Sequence, residues 1–155
     1  MVDQIKIAIT LQDDSLIIKS LVTNDYAGIV KEATPEYINS EILKSNLDAK
    51  SWRIIQDSDI IPDRTFRNAW KDLGHKLDVD MPKAREIHRE HLRQARGDLL
   101  AQLDTEYLKA DENNDNAKKQ EIKQKKQFLR DITQHPAIET AQTPEELKNV
   151  WFDLI

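Results

Sequence analysis

The chain has 155 residues, 39 % of them hydrophobic and 33 % charged, with three glycines, no cysteine and a net charge of −5. That length suits one medium domain or a small globular part with a helical extension, and the balance fits a charged, helix-rich interaction protein better than a large compact enzyme core. Lack of cysteine excludes disulfides, thiolate chemistry and cysteine-based zinc sites, and overall acidity argues against a dedicated nucleic-acid binder, whose affinity rests on a basic face. No apolar run approaches the ~20 residues that span a bilayer. The opening MVDQIKIAIT lacks the basic flank and long apolar stretch of a signal peptide. A soluble protein of a reducing compartment, with no membrane or nucleic-acid partner, is the expectation.

The chain starts with strand patterns. In QIKIAIT, Ile5, Ile7 and Ile9 alternate with other residues, which is the period of a half-buried strand. Asp13 and Asp14 make a turn, and LIIKSLV returns as a second strand. TPEYINSEIL follows with Thr34 as N-cap, Pro35 at the first helical position, and Tyr37, Ile38, Glu41 and Ile42 at helical spacing. SWRIIQD, rich in aromatic and β-branched side chains, predicts a third strand. These elements make residues 1–60 a small α+β head.

Residues 61–80 read as an aromatic hinge segment. In IPDRTFRNAWK, Pro62 ends the preceding strand and Asp63 caps a short helix over 65–71. Phe66 and Trp70 then share one face, with Arg64, Arg67 and Lys71 at its edges. Aromatic and arginine groupings also make binding hot spots. The segment is therefore a plug joining head to helices or a docking patch, and in both cases it serves assembly.

From residue 81 to 155 the pattern is helical. Asp80 is the expected N-cap, Pro82 lies in the first turn, and an apolar stripe runs through Ala84, His88, Leu92, Ala95, Leu99, Leu103, Tyr107 and Ala110. Gly97 interrupts it at a cost of about 1 kcal/mol relative to alanine, and a local bend is expected there. The polar NND at 113–115 separates this helix from a second, NAKKQEIKQKKQFLRDIT, so a long antiparallel helical hairpin is expected. Pro136 ends the second helix. TPEELKNVWFDLI then predicts a short C-terminal helix with Thr143 and Glu146 as a capping box. Its apolar end, including Trp151 and Phe152, either docks on the hairpin or enters a partner.

Motifs that could carry chemistry fail on inspection. Asp111, Asn113 and Asp115 match the first liganding positions of an EF-hand loop, but Asn116 stands where glycine is needed and Ile122 where the closing glutamate belongs. His88 and His91 share a helix face without two further ligands fixed nearby, and read as residues of a helix–helix seam. The pairs Asp57/Asp59 and Asp78/Asp80 lie at element ends, where aspartate caps turns. Without a nucleophile, partner base or glycine-rich phosphate loop, no catalytic, cofactor-binding or metal residue is expected. The lysines at 118, 119, 123, 125 and 126 have few aromatic neighbours, and read as a solvated helix face or one that meets the acidic head.

PDRTFRNAW, followed by VDMPKAREIHREHLR, resembles small bacteriophage proteins associated with tail-fibre genes. KKQFLRDIT and TPEELKNVW resemble the C-terminal part of phage tail assembly chaperone-like proteins. The similarity spans roughly residues 60–151 and brings no active-site residues with it. It implies a structural or adaptor protein of the virion tail or tail fibre, or a non-virion assembly chaperone in the host cytoplasm. The implied partners are a tail or tail-fibre protein and further copies of the chain, a trimer matching fibre symmetry. The interaction residues expected on this reading are Arg64, Phe66, Arg67, Trp70, Leu92, Leu99, Leu103, Trp151 and Phe152.

Overall fold

The computed structural model describes residues 4–23 and 32–150. The fold is mixed α+β, with antiparallel strands toward the N-terminus, one long helix and further helices after it. The chain forms two compact units, Met1–Asp80 and Met81–Ile155.

In the first unit, β1 (Gln4–Leu11) and β2 (Leu16–Val22) pair antiparallel, with Ile7 opposite Lys19. Asp13 shapes the turn between them by accepting from the Ser15 backbone N–H at 2.9 Å. Asp14 takes the left-handed conformation, φ 60°, that aspartate tolerates better than most residues. β3 (Ala49–Ile55) pairs with the other side of β1, so β1 is the centre of a three-stranded sheet. Helix α1 (Pro35–Lys44) starts as its sequence dictates: Thr34 Oγ1 accepts from the Tyr37 N–H at 3.2 Å, and proline occupies the first helical position. Ile38 and Ile42, one turn apart, join Ile7, Ile9 and Leu21 in a single core cluster.

The alternation of Ile5, Ile7 and Ile9 suggests one buried face, yet Ile7, Ala8 and Ile9 are all fully buried. The second face of β1 is covered because Ala8 forms another cluster with Ile55, Trp70 and Leu77. Trp70 and Leu77 come from β4 (Trp70–Asp72) and β5 (Leu77–Val79), a small antiparallel pair. A small residue at position 8 leaves room for the indole in that cluster.

This arrangement overturns the helix expected over 65–71. Asp63 Oδ1 does accept locally, from the Thr65 N–H at 2.9 Å and its hydroxyl at 2.6 Å, but the product is an Asx turn. A single 3-10 turn, Arg67–Ala69, follows, and Trp70 opens β4 with Trp70 opposite Val79 and Asp72 opposite Leu77. Ladder hydrogen bonds to β5 and burial of the indole outweigh the helical spacing of Phe66 and Trp70. Gly74, at φ 86°, makes the reversal between β4 and β5, a conformation that L side chains rarely adopt. Residues 61–80 are therefore part of the first unit's fold. Arg53 of β3 ties that segment down, its Nε donating to both Asp72 carboxylate oxygens at 2.8 and 2.9 Å.

In the second unit, α2 (Met81–Glu112) is a 32-residue helix that continues through Gly97. A turn follows in which Asn114 is left-handed, φ 55°, and Asp115 caps α3 (Asn116–Asp131) by accepting from the Lys118 N–H at 2.9 Å. α2 packs against α3, the following 3-10 turn Ile132–Gln134 and the last described helix. Pro136 does terminate the preceding helical run, but it also opens α4 (Pro136–Thr140), with the His135 ring accepting from the Ala137 N–H at 3.3 Å. Proline at the first helical position loses no hydrogen bond, so the same residue that stops one helix starts the next. α5 (Pro144–Asn149) is capped by Thr143, which accepts from the Glu146 N–H at 3.1 Å. The reciprocal arm differs from the expected box, because the Glu146 carboxylate accepts from Gln142 at 2.7 Å. Leu147 and Val150 are buried.

Three arginines of α2 fasten the chain that returns past it. Arg96 donates to the carbonyl of Arg130 at 2.8 Å, and Arg89 to that of Thr133 at 3.3 Å. Arg85 donates to the carbonyls of Ile138 at 3.1 Å and Ala141 at 2.9 Å. Carbonyls at helix C-terminal ends lack intrahelical partners and carry partial negative charge, so guanidinium groups are apt partners there.

Candidate interaction surface

The apolar stripe of α2 changes character along its length. Ala84, His88 and Leu92 are buried, Ala95, Leu99, Leu103 and Tyr107 are half-buried, and Ala110 is buried again. Where burial is incomplete, a groove of about 380 Å³ opens between α2 and α3. Leu99, Leu103, Phe128 and Leu129 make its apolar floor, while Gln102, Glu106, Gln124 and Lys125 stand at its rim. Phe128 is 41 % exposed and, with Leu99 and Leu103 beside it, adds a large ring to one contiguous apolar patch. The groove exists because Ile122 and Leu129 fill the seam while Phe128, one position before Leu129, points to its edge.

The rim is held by ion pairs. Lys118 and Lys125 both pair with Glu121, at 3.0 and 2.7 Å, and this holds the Glu121 carboxyl below its ordinary range, Lys125 contributing first. The Glu121 pairing in turn raises the Lys125 ammonium. Asp111 pairs with Lys119 at 2.9 Å and Asp104 with Lys126, so carboxylates of α2 meet lysines of α3 on the other edge. Such exposed pairs orient the helices more than they stabilise them.

Of the residues expected to mediate assembly, Leu99 and Leu103 lie together in the groove. Leu92, two turns earlier on α2, is fully buried and packs. Phe66 and Trp70 are also buried, Trp70 inside the first unit's core, so neither presents an aromatic patch to solvent. Arg64 and Arg67 are exposed. Trp151 and Phe152 lie outside the described residues. Phe128 was not among the expected residues; its place four before Ile132 and beside Leu129 was the available signal.

Three of the aspartates weighed for chemistry have structural partners. Asp57 pairs with Lys6, and Asp59 accepts from the Gln56 N–H at 2.8 Å. Asp78 accepts from the Val79 N–H at 2.9 Å. His88 is buried and His91 exposed; burial, then the neighbouring His91, pushes the His88 imidazole below its usual 6.5. Among the described residues, no group of three or more His, Asp or Glu is placed to hold a metal ion, and no helix is long and apolar enough to cross a membrane.

Compared with protein-family models, curated proteins and solved structures, the chain finds no match among any of them.

Proposed function

We propose that this chain is a structural or adaptor protein of a bacteriophage tail or tail fibre that works through protein–protein interfaces rather than catalysis. The observation that carries the assembly part of the reading is the groove between α2 and α3, with Leu99, Leu103 and Phe128 left partly open to solvent. An apolar groove flanked by amide and charged side chains is the kind of surface into which another helix lays its apolar face. The phage part rests on the resemblance of PDRTFRNAW, VDMPKAREIHREHLR, KKQFLRDIT and TPEELKNVW to tail-fibre-associated and tail-assembly proteins. On this reading α2 and α3 act as a long antiparallel helical hairpin with α5 as its short C-terminal helix. Copies of the hairpin, three around a fibre axis, cover one another's grooves or that of a fibre protein.

Quantitative mass spectrometry of purified particles tests the reading. A copy number fixed at a multiple of three or six supports a virion component. Recovery only from infected-cell lysate replaces it with the alternative, a cytoplasmic assembly chaperone that leaves before the particle is complete. Absence from both tail particles and tail-fibre complexes removes the phage assignment.

A further inference from the structure

The second edge of the α2–α3 pair has different chemistry. Tyr107 of α2 and Lys123, Lys126, Gln127 and Arg130 of α3 line a cleft of about 320 Å³. The ammonium groups of Lys123 and Lys126 each lie 5.8 Å from the Tyr107 ring centroid, within the range of cation–π attraction. Most of α3's positive charge is already answered: Lys118 and Lys125 by Glu121, Lys119 by Asp111, Lys126 by Asp104. Lys123 and Arg130 have no ion-pair partner among the described residues, and both are exposed. The two uncompensated cations thus flank one aromatic ring and one amide, seven residues apart, or about 10 Å along the helix.

We propose that this cleft docks an acidic, extended segment of a protein partner, and the inference rests on the reading of the chain as an interaction protein. Side chains two apart on one side of an extended strand stand about 7 Å from each other, so two such carboxylates fall within reach of the flexible Lys123 and Arg130 side chains. The guanidinium of Arg130 can grip one of them with two parallel N–H bonds, and Lys123 meets the other as a point charge. The residue between them, or its backbone, rests against the Tyr107 ring. A protein segment fits better than a nucleic acid. A single aromatic provides no succession of stacking platforms for consecutive bases. Asp104 and Asp131, paired with Lys126 and Gln127 at the margin, keep the net attraction modest and make it salt-sensitive.

Fluorescence anisotropy of a labelled peptide of alternating glutamate and alanine, titrated with the whole chain at low and raised salt, tests this. The expected result is binding that weakens as salt rises and that falls at least about tenfold in Lys123→Glu/Arg130→Glu, as loss of two charge-assisted contacts requires. Helix content by circular dichroism should be unchanged, since both side chains are exposed. The neutral pair Lys123→Gln/Arg130→Gln carries the test should the charge reversal fail to fold. No binding at low salt, or equal affinity of the wild type and the variants, overturns the proposal. Tighter binding of a labelled oligothymidylate of matched charge also overturns it, because a phosphate backbone is then the better occupant. These results are independent of particle content, so failure here and failure of the virion reading are told apart.

Discussion

Trp70→Ala separates packing from docking. The indole is 3 % exposed and shares a cluster with Ala8, Ile55 and Leu77, so truncation removes the largest member of the core on that face of β1. Loss of a buried Trp or Phe costs about 3–5 kcal/mol through lost transfer and residual cavity. One feature reduces this: the Trp70 Nε1 is buried with no hydrogen-bond partner among the described residues. An unsatisfied N–H already costs the native state about 1–3 kcal/mol, and truncation relieves it. Taking the middle of each range, the net expectation is a loss of about 2 kcal/mol. Trp70→Phe deletes the N–H but keeps most of the apolar surface, and should fall within about 1 kcal/mol of wild type. Urea unfolding followed by far-UV circular dichroism reads both variants without relying on tryptophan fluorescence, which the substitutions alter. A loss under about 1 kcal/mol for Trp70→Ala would show that the indole is not a core residue. A loss well above about 1 kcal/mol for Trp70→Phe would show that the N–H finds a partner in solution.

Two further outcomes follow from single residues. Burial holds the His88 imidazole below 6.5, so above that pH the ring is neutral in folded and unfolded chains and its contribution is complete. As pH falls below 6.5 the unfolded chain takes up the proton first, and stability declines until the folded ring also protonates. Melting temperatures measured from pH 8 to 4.5 should show this decline in the wild type and a shallower one in His88→Leu; parallel curves would exclude His88 as its source. Gly97 lies within α2 with nothing within 4 Å of where a Cβ would be, so Gly97→Ala should stabilise by about 0.5–1 kcal/mol in the same unfolding assay. Destabilisation would mean that glycine is needed there for a bend.

What the sequence made legible is local. Thr34 and Pro35 announce α1 because capping is a short-range hydrogen bond, and the polar residues at 113–115 announce the turn before α3 for the same reason. β1, β2 and β3 are legible from alternation and β-branched content. The segment 65–71 is not, because Phe66 and Trp70 stand at helical spacing and only the distant pairing with β5 makes Trp70 a strand residue. Ala8 gives no sign of being buried, since alanine suits either side of a sheet. At the candidate surface, Leu99 and Leu103 are visible as part of a stripe, but the stripe does not say where its cover stops. That depends on α3, where the exposure of Phe128 follows from the rotation of one helix on another. The arginine contacts to returning carbonyls are likewise invisible, because their acceptors are backbone atoms about 34 to 56 residues away.

Under the proposed function, the groove floored by Leu99, Leu103, Phe128 and Leu129 is what holds this protein in its assembly. The most direct measurement is the copy number per particle of Leu103→Glu/Phe128→Glu, set against wild type, with circular dichroism confirming that the variant folds. The expected result is a folded variant that is depleted from particles by about tenfold or more, since two buried charges at an apolar interface cost several kcal/mol. Incorporation of the folded variant at the wild-type copy number would show that the groove is not an assembly interface.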